Sequence, residues 1–276
     1  MNFPFLKQSL GALLILCSPP AFALHIMLDP GHGGVDTGAV YGGAKEAELV
    51  LKVAQKLQTL LAKDEKFKVT MTRTSDRNLS LPERVKMAEG SKADLFVSLH
   101  ANAASDQRAK GVEFFFQNNL PPDEDALFLA SQENQMVLNS RELHDISGGD
   151  ELSKKGDVAA IVEDLHRQNR LSSSLRLTQT LTQVWGTDNN AAQATIKQAP
   201  FYVISKTTMP SVLIEIGFLT NPREAKKLVS AEYQNDLAQK IYTALQSYKE
   251  KMDNHDRKIL KLVCFNHPKN EKRPPF

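Results

Sequence analysis

The chain has 276 residues, 41% of them hydrophobic and 24% charged, with a formal net charge of +2. This is an ordinary globular composition, enough for one core of respectable size and in favour of one domain over two. A charge so close to balance gives no reason to expect nucleic acid as a partner.

The N-terminus has the layout of a secretory signal peptide over residues 1–23. Its first eight residues carry one cation, Lys7, and no acid. An apolar run ends at Leu16, and Pro19-Pro20 leads into the small-x-small triplet Ala21-Phe22-Ala23, where cleavage is expected. The run is too short to span a bilayer, so no transmembrane segment is expected. Cys17 follows Leu16 where a lipidation signal would have a small residue. Removing the signal leaves Cys264 as the single cysteine, so a core or a metal, not a disulfide, must stabilise the exported chain.

In the mature chain, 25–28 reads as a strand stopped by Asp29-Pro30-Gly31. Leu49, Val53, Leu57, Leu60 and Leu61 recur at helical spacing and predict a helix over 45–63. Residues 67–73 alternate as a strand. Ser80 with Glu83 opens a capped helix over 80–89. The apolar run 95–99 is a strand buried on both faces, and 111–116 is another strand. A long polar, helical insert is expected over 117–199. Strand character returns at 201–204 and 212–216. Asn221-Pro222-Arg223-Glu224 starts a helix, and Leu237, Ile241, Leu245 and Tyr248 stripe the last one. The fold class is therefore α/β: a mixed, mostly parallel central sheet flanked by helices on both faces, with a helical insert. The catalytic domain is expected over 24–252. From Asn254 the pattern stops, and 253–276 reads as a basic, flexible tail.

Polar side chains stand just past the carboxyl ends of these strands, the edge where open α/β sheets gather ligands. His32 lies in Asp29-Pro30-Gly31-His32-Gly33-Gly34, His100 ends the 95–99 run, and Glu215 follows Val212-Leu213-Ile214. Glu46, in the first turn of a helix after the Gly-rich loop, can fold back toward His32. Two imidazoles and one carboxylate suit a catalytic zinc with a fourth position left for water, whose pKa then falls toward about 7. Glu215 could take that water's proton, since an acid within Val-Leu-Ile-Glu-Ile is costly to bury without a metal or partner. Each residue also has a plainer reading: His32 on the surface, His100 as a polar strand end, Glu46 favoured by the helix dipole. No short signature such as His-Glu-x-x-His accompanies them, so the residues alone leave both readings open.

The motifs resemble those of the Amidase_3 family of N-acetylmuramoyl-L-alanine amidases. Asp29–Gly34 is similar to the family's opening zinc motif, Lys45-Glu46 to its second, Ser98-Leu99-His100-Ala101-Asn102 to its third, and 210–221 to its closing motif. Thr72-Arg73 and 81–84 also match in order, so the resemblance runs from about 25 to 248. It implies one zinc ion on His32, Glu46 and His100, with Glu215 as general base. The implied substrate is the peptidoglycan amide joining N-acetylmuramic acid to L-alanine. Asp29 and Asn102 are candidates to orient the zinc ligands, or else make turn and strand-end hydrogen bonds.

Within the insert, Asp123 can cap a helix over 123–139 on which Ala126, Leu129, Met136 and Val137 share a face with Glu133. By itself Glu133 reads as a partly exposed acid or half of a salt bridge. Ala130-Ser131-Gln132-Glu133-Asn134 resembles the regulatory helix of Gram-negative division amidases. That resemblance implies that Glu133 fills the open zinc position, and that a LytM-domain activator relieves this autoinhibition, docking on 157–184. With the export signal, it points to the periplasm and to wall remodelling or daughter-cell separation. The alternatives are a zinc peptidase acting within stem peptides, and a non-catalytic module that binds the wall or an activator.

Overall fold

The computed structural model describes residues 22–118, 120–135, 157–186 and 194–265. Almost all of the expected signal peptide and the far end of the expected 123–139 helix, Met136 and Val137 included, lie outside the described residues. In chain order the elements are β1 (Leu24–Pro30), β2 (Val40–Tyr41), β3 (Ala44–Lys45), α1 (Glu46–Leu61), β4 (Phe67–Met71), α2 (Leu81–Ser91), β5 (Leu95–Asn102) and β6 (Val112–Phe116). They continue with α3 (Glu124–Asn134), α4 (Asp157–Gly186), β7 (Ala194–Gln198), α5 (Tyr202–Ser205), β8 (Ser211–Phe218), α6 (Pro222–Leu228) and α7 (Ala231–Phe265).

Six strands form one sheet in the order β4-β1-β5-β8-β6-β7. The first four are parallel, β6 runs antiparallel to β8, and β7 runs parallel to β6. Every residue of β1, β5 and β8 is buried, as expected of central strands covered on both faces. On one face the core is built from Leu49, Val53 and Leu57 of α1, Leu177 and Trp185 of α4, and Ile241 and Leu245 of α7. On the other, α2, α3 and α5 cover Met27, Phe96, Phe115 and Leu213. The expected caps form: Ser80 and Glu83 make a reciprocal capping box on α2, and the Asn221 side chain accepts from the amides of Arg223 and Glu224.

Three elements depart from the sequence reading. Residues 201–204 are not a strand: Phe201 caps the short helix α5, and its ring packs edge-on against Phe115 at 5.0 Å. An apolar run of four residues carries too little periodicity to separate the two conformations. The expected helical insert contains a strand, β7, whose Ala-Thr-Ile-Lys-Gln sequence has one large aliphatic residue because it is a half-buried edge strand. The last helix does not stop near Asn254 but continues to Phe265. Its apolar stripe ends where the sheet does, while the backbone carries on in helix with exposed residues such as Asp256 and Arg257. Among the described residues, no helix is long and apolar enough to cross a membrane.

Candidate metal centre

The site forms where the chain leaves β1. Gly31 pairs its amide with the Leu99 carbonyl at 2.9 Å, and His32 then adopts a left-handed backbone with φ of 57°. Such a conformation is unfavourable for a non-glycine residue and persists only when its surroundings hold it. Two buried arginines do so. Arg73 donates to the carbonyls of Pro30 at 2.9 Å, Gly31 at 2.7 Å and Ala47 at 2.8 Å. Arg84 donates to the Pro30 carbonyl and the Asp29 carboxylate at 2.8 Å each, and to the His32 carbonyl at 2.7 Å. Burial, together with the nearby Arg84 charge, lowers the Arg73 pKa to about 10, which leaves Arg73 cationic at neutral pH.

His100 arrives on β5, beside Glu215 of β8 in register. It packs so close to the turn that a Cβ on Gly31 would lie 2.4 Å from its Cε1. Glu46 is brought in by the β2–β3 hairpin, which ends one residue before it. Its carboxylate accepts from the Ala39 amide and the Ala101 amide, each at 2.9 Å. Gly38 leaves room for this approach: a Cβ there would lie 2.6 Å from both Glu46 Oε2 and His32 Cδ2.

The three residues singled out from the sequence therefore converge. Glu46 Oε1 is 3.0 Å from His32 Nε2 and 3.1 Å from His100 Nδ1. One donor atom from each lies within 4.8 Å of the others. The His32 Nδ1–H donates to Asp36 Oδ2 at 2.9 Å, which turns Nε2 toward Glu46. Asp36 in turn accepts from the Gly38 amide at 3.1 Å.

The residues fit a divalent metal. His32 Nε2 is buried and has no hydrogen-bond partner among the described residues. Burial opposes a charge on His32, yet Glu46 and Asp36 push its pKa up to about 11, and the His32 and His100 rings hold Glu46 well below the usual carboxylate range. The field that favours a proton on His32 equally favours a cation between these side chains. Two imidazole nitrogens and one carboxylate oxygen are a donor set that zinc accepts.

Acids crowd the same place. Glu133, from α3, brings Oε2 to 3.5 Å from His32 Nε2 and 3.6 Å from His100 Nδ1. Burial and the Glu46 charge raise its pKa. Glu215 is 1% exposed, its Oε2 has no partner among the described residues, and burial followed by Glu46, Glu133 and Glu113 drives its pKa well up. It stands beside the cluster behind the wall of a cavity of about 700 Å³ that His32, Glu46, His100, Asn102, Glu113 and Glu133 line.

For Asp29 and Asn102, candidates either to orient the zinc ligands or to make turn and strand-end hydrogen bonds, the structure shows bonds of the second kind. Asp29 is bound by Thr72 and Arg84 on Oδ1 and by Ser98 on Oδ2, so it anchors the turn and not an imidazole. The Asn102 amide donates to Glu113 at 3.0 Å. Sequence reasoning missed Asp36, the actual partner of His32. Its position four residues on in the same Gly-rich loop was the available signal. It also missed Asn134, whose side chain ties the end of α3 to the Pro200 carbonyl and the Tyr202 amide.

A mixed, mostly parallel sheet with a two-histidine, one-carboxylate cluster at its carboxyl edge defines the class: an α/β protein built around a candidate metal centre. Residues 26–247 match the family Amidase_3, described as N-acetylmuramoyl-L-alanine amidase, and the chain belongs to that family. It is 34% identical over 227 residues to N-acetylmuramoyl-L-alanine amidase AmiC of Escherichia coli O6:H1, an alignment covering 81% of this chain and 52% of that protein. It is 30% identical over 231 residues to AmiA of Salmonella typhimurium, covering 83% and 77%. The chain thus spans about half the length of AmiC and three quarters of AmiA. Among solved structures, the catalytic domain of CwlV from Bacillus (Paenibacillus) polymyxa var. colistinus matches with a TM-score of 0.57 at 26% identity, over 82% of this chain and 98% of that one. AmiC2 of Nostoc punctiforme matches with 0.56 at 26% identity, over 82% and 97%.

Proposed function

We propose that the chain is a zinc-dependent N-acetylmuramoyl-L-alanine amidase that hydrolyses the peptidoglycan amide between N-acetylmuramic acid and L-alanine. The observation that carries this reading is the convergence of His32, Glu46 and His100 beside the buried acid Glu215, whose Oε2 has no partner among the described residues. His32, Glu46 and His100 would hold the zinc, which when bound supplies Lewis-acid activation of water and of the scissile carbonyl. Asp36 fixes the His32 tautomer, and the Ala39 and Ala101 amides aim the Glu46 carboxylate. Glu215 takes a proton from water and returns it to the departing L-alanine nitrogen, so that the lactyl group leaves as a carboxylic acid and the peptide as an amine.

The same reading makes α3 an autoinhibitory element. Glu133 faces both imidazoles where substrate must enter. The helix is lightly held: it buries Ala126 and Ala130, while Leu127 and Phe128 are exposed. On α4, Val158, Ile161, Val162 and Leu165 form an exposed stripe at the i, i+3, i+4, i+7 spacing of a helix-packing face. That stripe supports docking of a LytM-domain activator on the insert. The signal-peptide layout of residues 1–23 supports a periplasmic location, with work in wall remodelling or daughter-cell separation.

The test is hydrolysis of purified sacculi by the zinc-loaded full chain, with products read by mass spectrometry. Release of intact peptides with a free L-alanine amine is expected, whereas alanine left on the sugar would make the protein a peptidase. Glu215→Gln should keep its zinc and lose about 10²- to 10⁴-fold in rate. Unchanged hydrolysis removes Glu215 from its role. Glu133→Ala, or deletion of 123–139, should raise basal activity severalfold in a folded, zinc-loaded protein, and no gain would count against the lid.

A further inference from the structure

A second polar cluster faces the cavity and takes no part in the steps above. Glu113 of β6 is buried and carries a different partner on each carboxylate oxygen. Lys197 Nζ sits 2.9 Å from Oε1, and Asn102 Nδ2 donates to Oε2 at 3.0 Å. Burial works against the Lys197 charge, but the hydrogen bond and charge of Glu113 leave its pKa above the ordinary lysine value. Oε1 accepts from the Lys197 ammonium and Oε2 faces the Asn102 side chain, so both carboxylate oxygens serve as acceptors. The Asn102 amide therefore has one admissible orientation, with its NH₂ toward Glu113 and its carbonyl Oδ1 away from it. Asn102 is 8% exposed and lines the cavity, and no donor among the described residues reaches Oδ1.

The position of this free acceptor is informative. Asn102 lies two residues beyond His100 on β5, roughly 6–7 Å along the strand. The register against β8 shifts between those two residues, the kind of irregularity that re-aims a side chain. Peptide advances about 3.3–3.6 Å per residue, so an extended chain leaving the metal cluster brings an amide to this distance within one or two residues. The surroundings choose the partner's polarity. Lys197, the cation lining this side of the cavity, is already engaged by Glu113, and Glu133 and Asp125 border the same space, so an N–H donor is the partner that a carbonyl oxygen here accepts.

We propose that Asn102 is a substrate-positioning residue whose Oδ1, oriented by the Glu113–Lys197 pair, accepts a hydrogen bond from the peptide N–H that follows L-alanine in the stem. The inference rests on the amidase reading and assigns to Asn102 the recognition of the stem as a peptide, apart from the chemistry at the metal.

The experiment uses the zinc-loaded full chain carrying Glu133→Ala as parent, so that the cavity is open. Two soluble muramyl peptides serve as substrates, identical except that in one an ester oxygen replaces the N–H after L-alanine. The parent should show about a tenfold higher KM on the ester analogue, with kcat little changed. Adding Asn102→Ala should raise KM about tenfold on the normal substrate and cause no further loss on the analogue. Adding Glu113→Gln should reproduce part of this defect by releasing the Asn102 amide. The pair Asn102→Asp with Glu113→Gln should restore the parent KM, because the new amide donates and the new carboxylate keeps an acceptor toward the cavity. Zinc content and melting temperature of each variant, matched to the parent, separate positioning from damage to the fold. Equal kcat/KM of the parent on the two substrates overturns the inference without recourse to any Asn102 variant, while leaving the amidase reading intact. A parent that cleaves neither substrate refutes the amidase reading and the inference with it.

Discussion

Arg84→Met should destabilise the protein by about 3 kcal/mol at neutral pH. Arg84 and Asp29 form an ion pair of 2.8 Å with side chains 2% and 1% exposed. Removing one partner of such a pair strands the other charge in the interior, typically about 3–5 kcal/mol. The lower end applies because Thr72 at 2.7 Å and Ser98 at 2.9 Å still solvate the carboxylate. At about 2–4 °C per kcal/mol for a domain of this size, the melting temperature should fall by about 6–12 °C. The assay is urea unfolding in the presence of a chelator, so that metal binding does not enter the balance. The sign with pH follows from Asp29. Burial pushes its pKa up, but Arg84 and the Thr72 hydrogen bond outweigh this and hold it below the usual value. Its contribution is therefore present above the unfolded carboxyl pKa of about 3.9 and is lost as pH falls through the folded value. Without Arg84, burial is left to dominate, and protonation relieves the strain. The deficit should thus be largest at pH 7 and shrink toward pH 4. Asp29→Asn added to Arg84→Met should recover part of the loss at pH 7. A deficit below about 1 kcal/mol, or a double variant no more stable than the single one, would refute the assignment of this pair as a buried charge couple.

Two further outcomes concern the metal cluster directly. Gly31→Ala places a methyl group 2.4 Å from His100 Cε1, so the ring must move; zinc affinity measured by chelator competition should fall more than tenfold, and an unchanged affinity would mean that His100 is not held where its role requires. Asp36→Ala removes the acceptor that orients His32 and should weaken zinc binding about 10- to 100-fold while the far-UV circular dichroism stays that of the parent.

Much of the layout is legible in the sequence because each feature has a local cause. The buried strands β1, β5 and β8 are short apolar runs, and α1 and α7 announce themselves by apolar spacing. Ser80 and Asn221 are caps whose partners lie two or three residues away. The metal donors follow from position, since a polar residue ending a buried parallel strand arrives at the sheet edge whatever else it does. What stayed hidden is long-range. Arg73 and Arg84 sit 42 to 54 residues from the carbonyls of 30–32 that they bind, and no periodicity marks a guanidinium that turns inward. The strand β7 looks polar because one of its faces meets solvent. The role of Asn102 depends on a carboxylate from β6 and an ammonium from β7, which only the completed sheet brings together.

The two sides of the cavity differ in how firmly they are built, and this bears on how such a site could be controlled. The three candidate metal donors come from the turn after β1, from β5 and from α1, and α1 alone buries Leu49, Val50, Val53, Ala54, Leu57 and Leu61. Glu133 comes from a helix whose fully buried residues, among those described, are Ala126 and Ala130, with Leu129 partly buried against the same core and Asn134 bonded to the Pro200 carbonyl and the Tyr202 amide. Burying an alanine removes far less apolar area than burying a leucine, so lifting α3 costs a small fraction of what moving α1 would. A force applied to the insert would then withdraw Glu133 from the imidazoles before it disturbed His32, Glu46 or His100. On the proposed reading, α3 could move while the candidate ligands stay held by β1, β5 and α1.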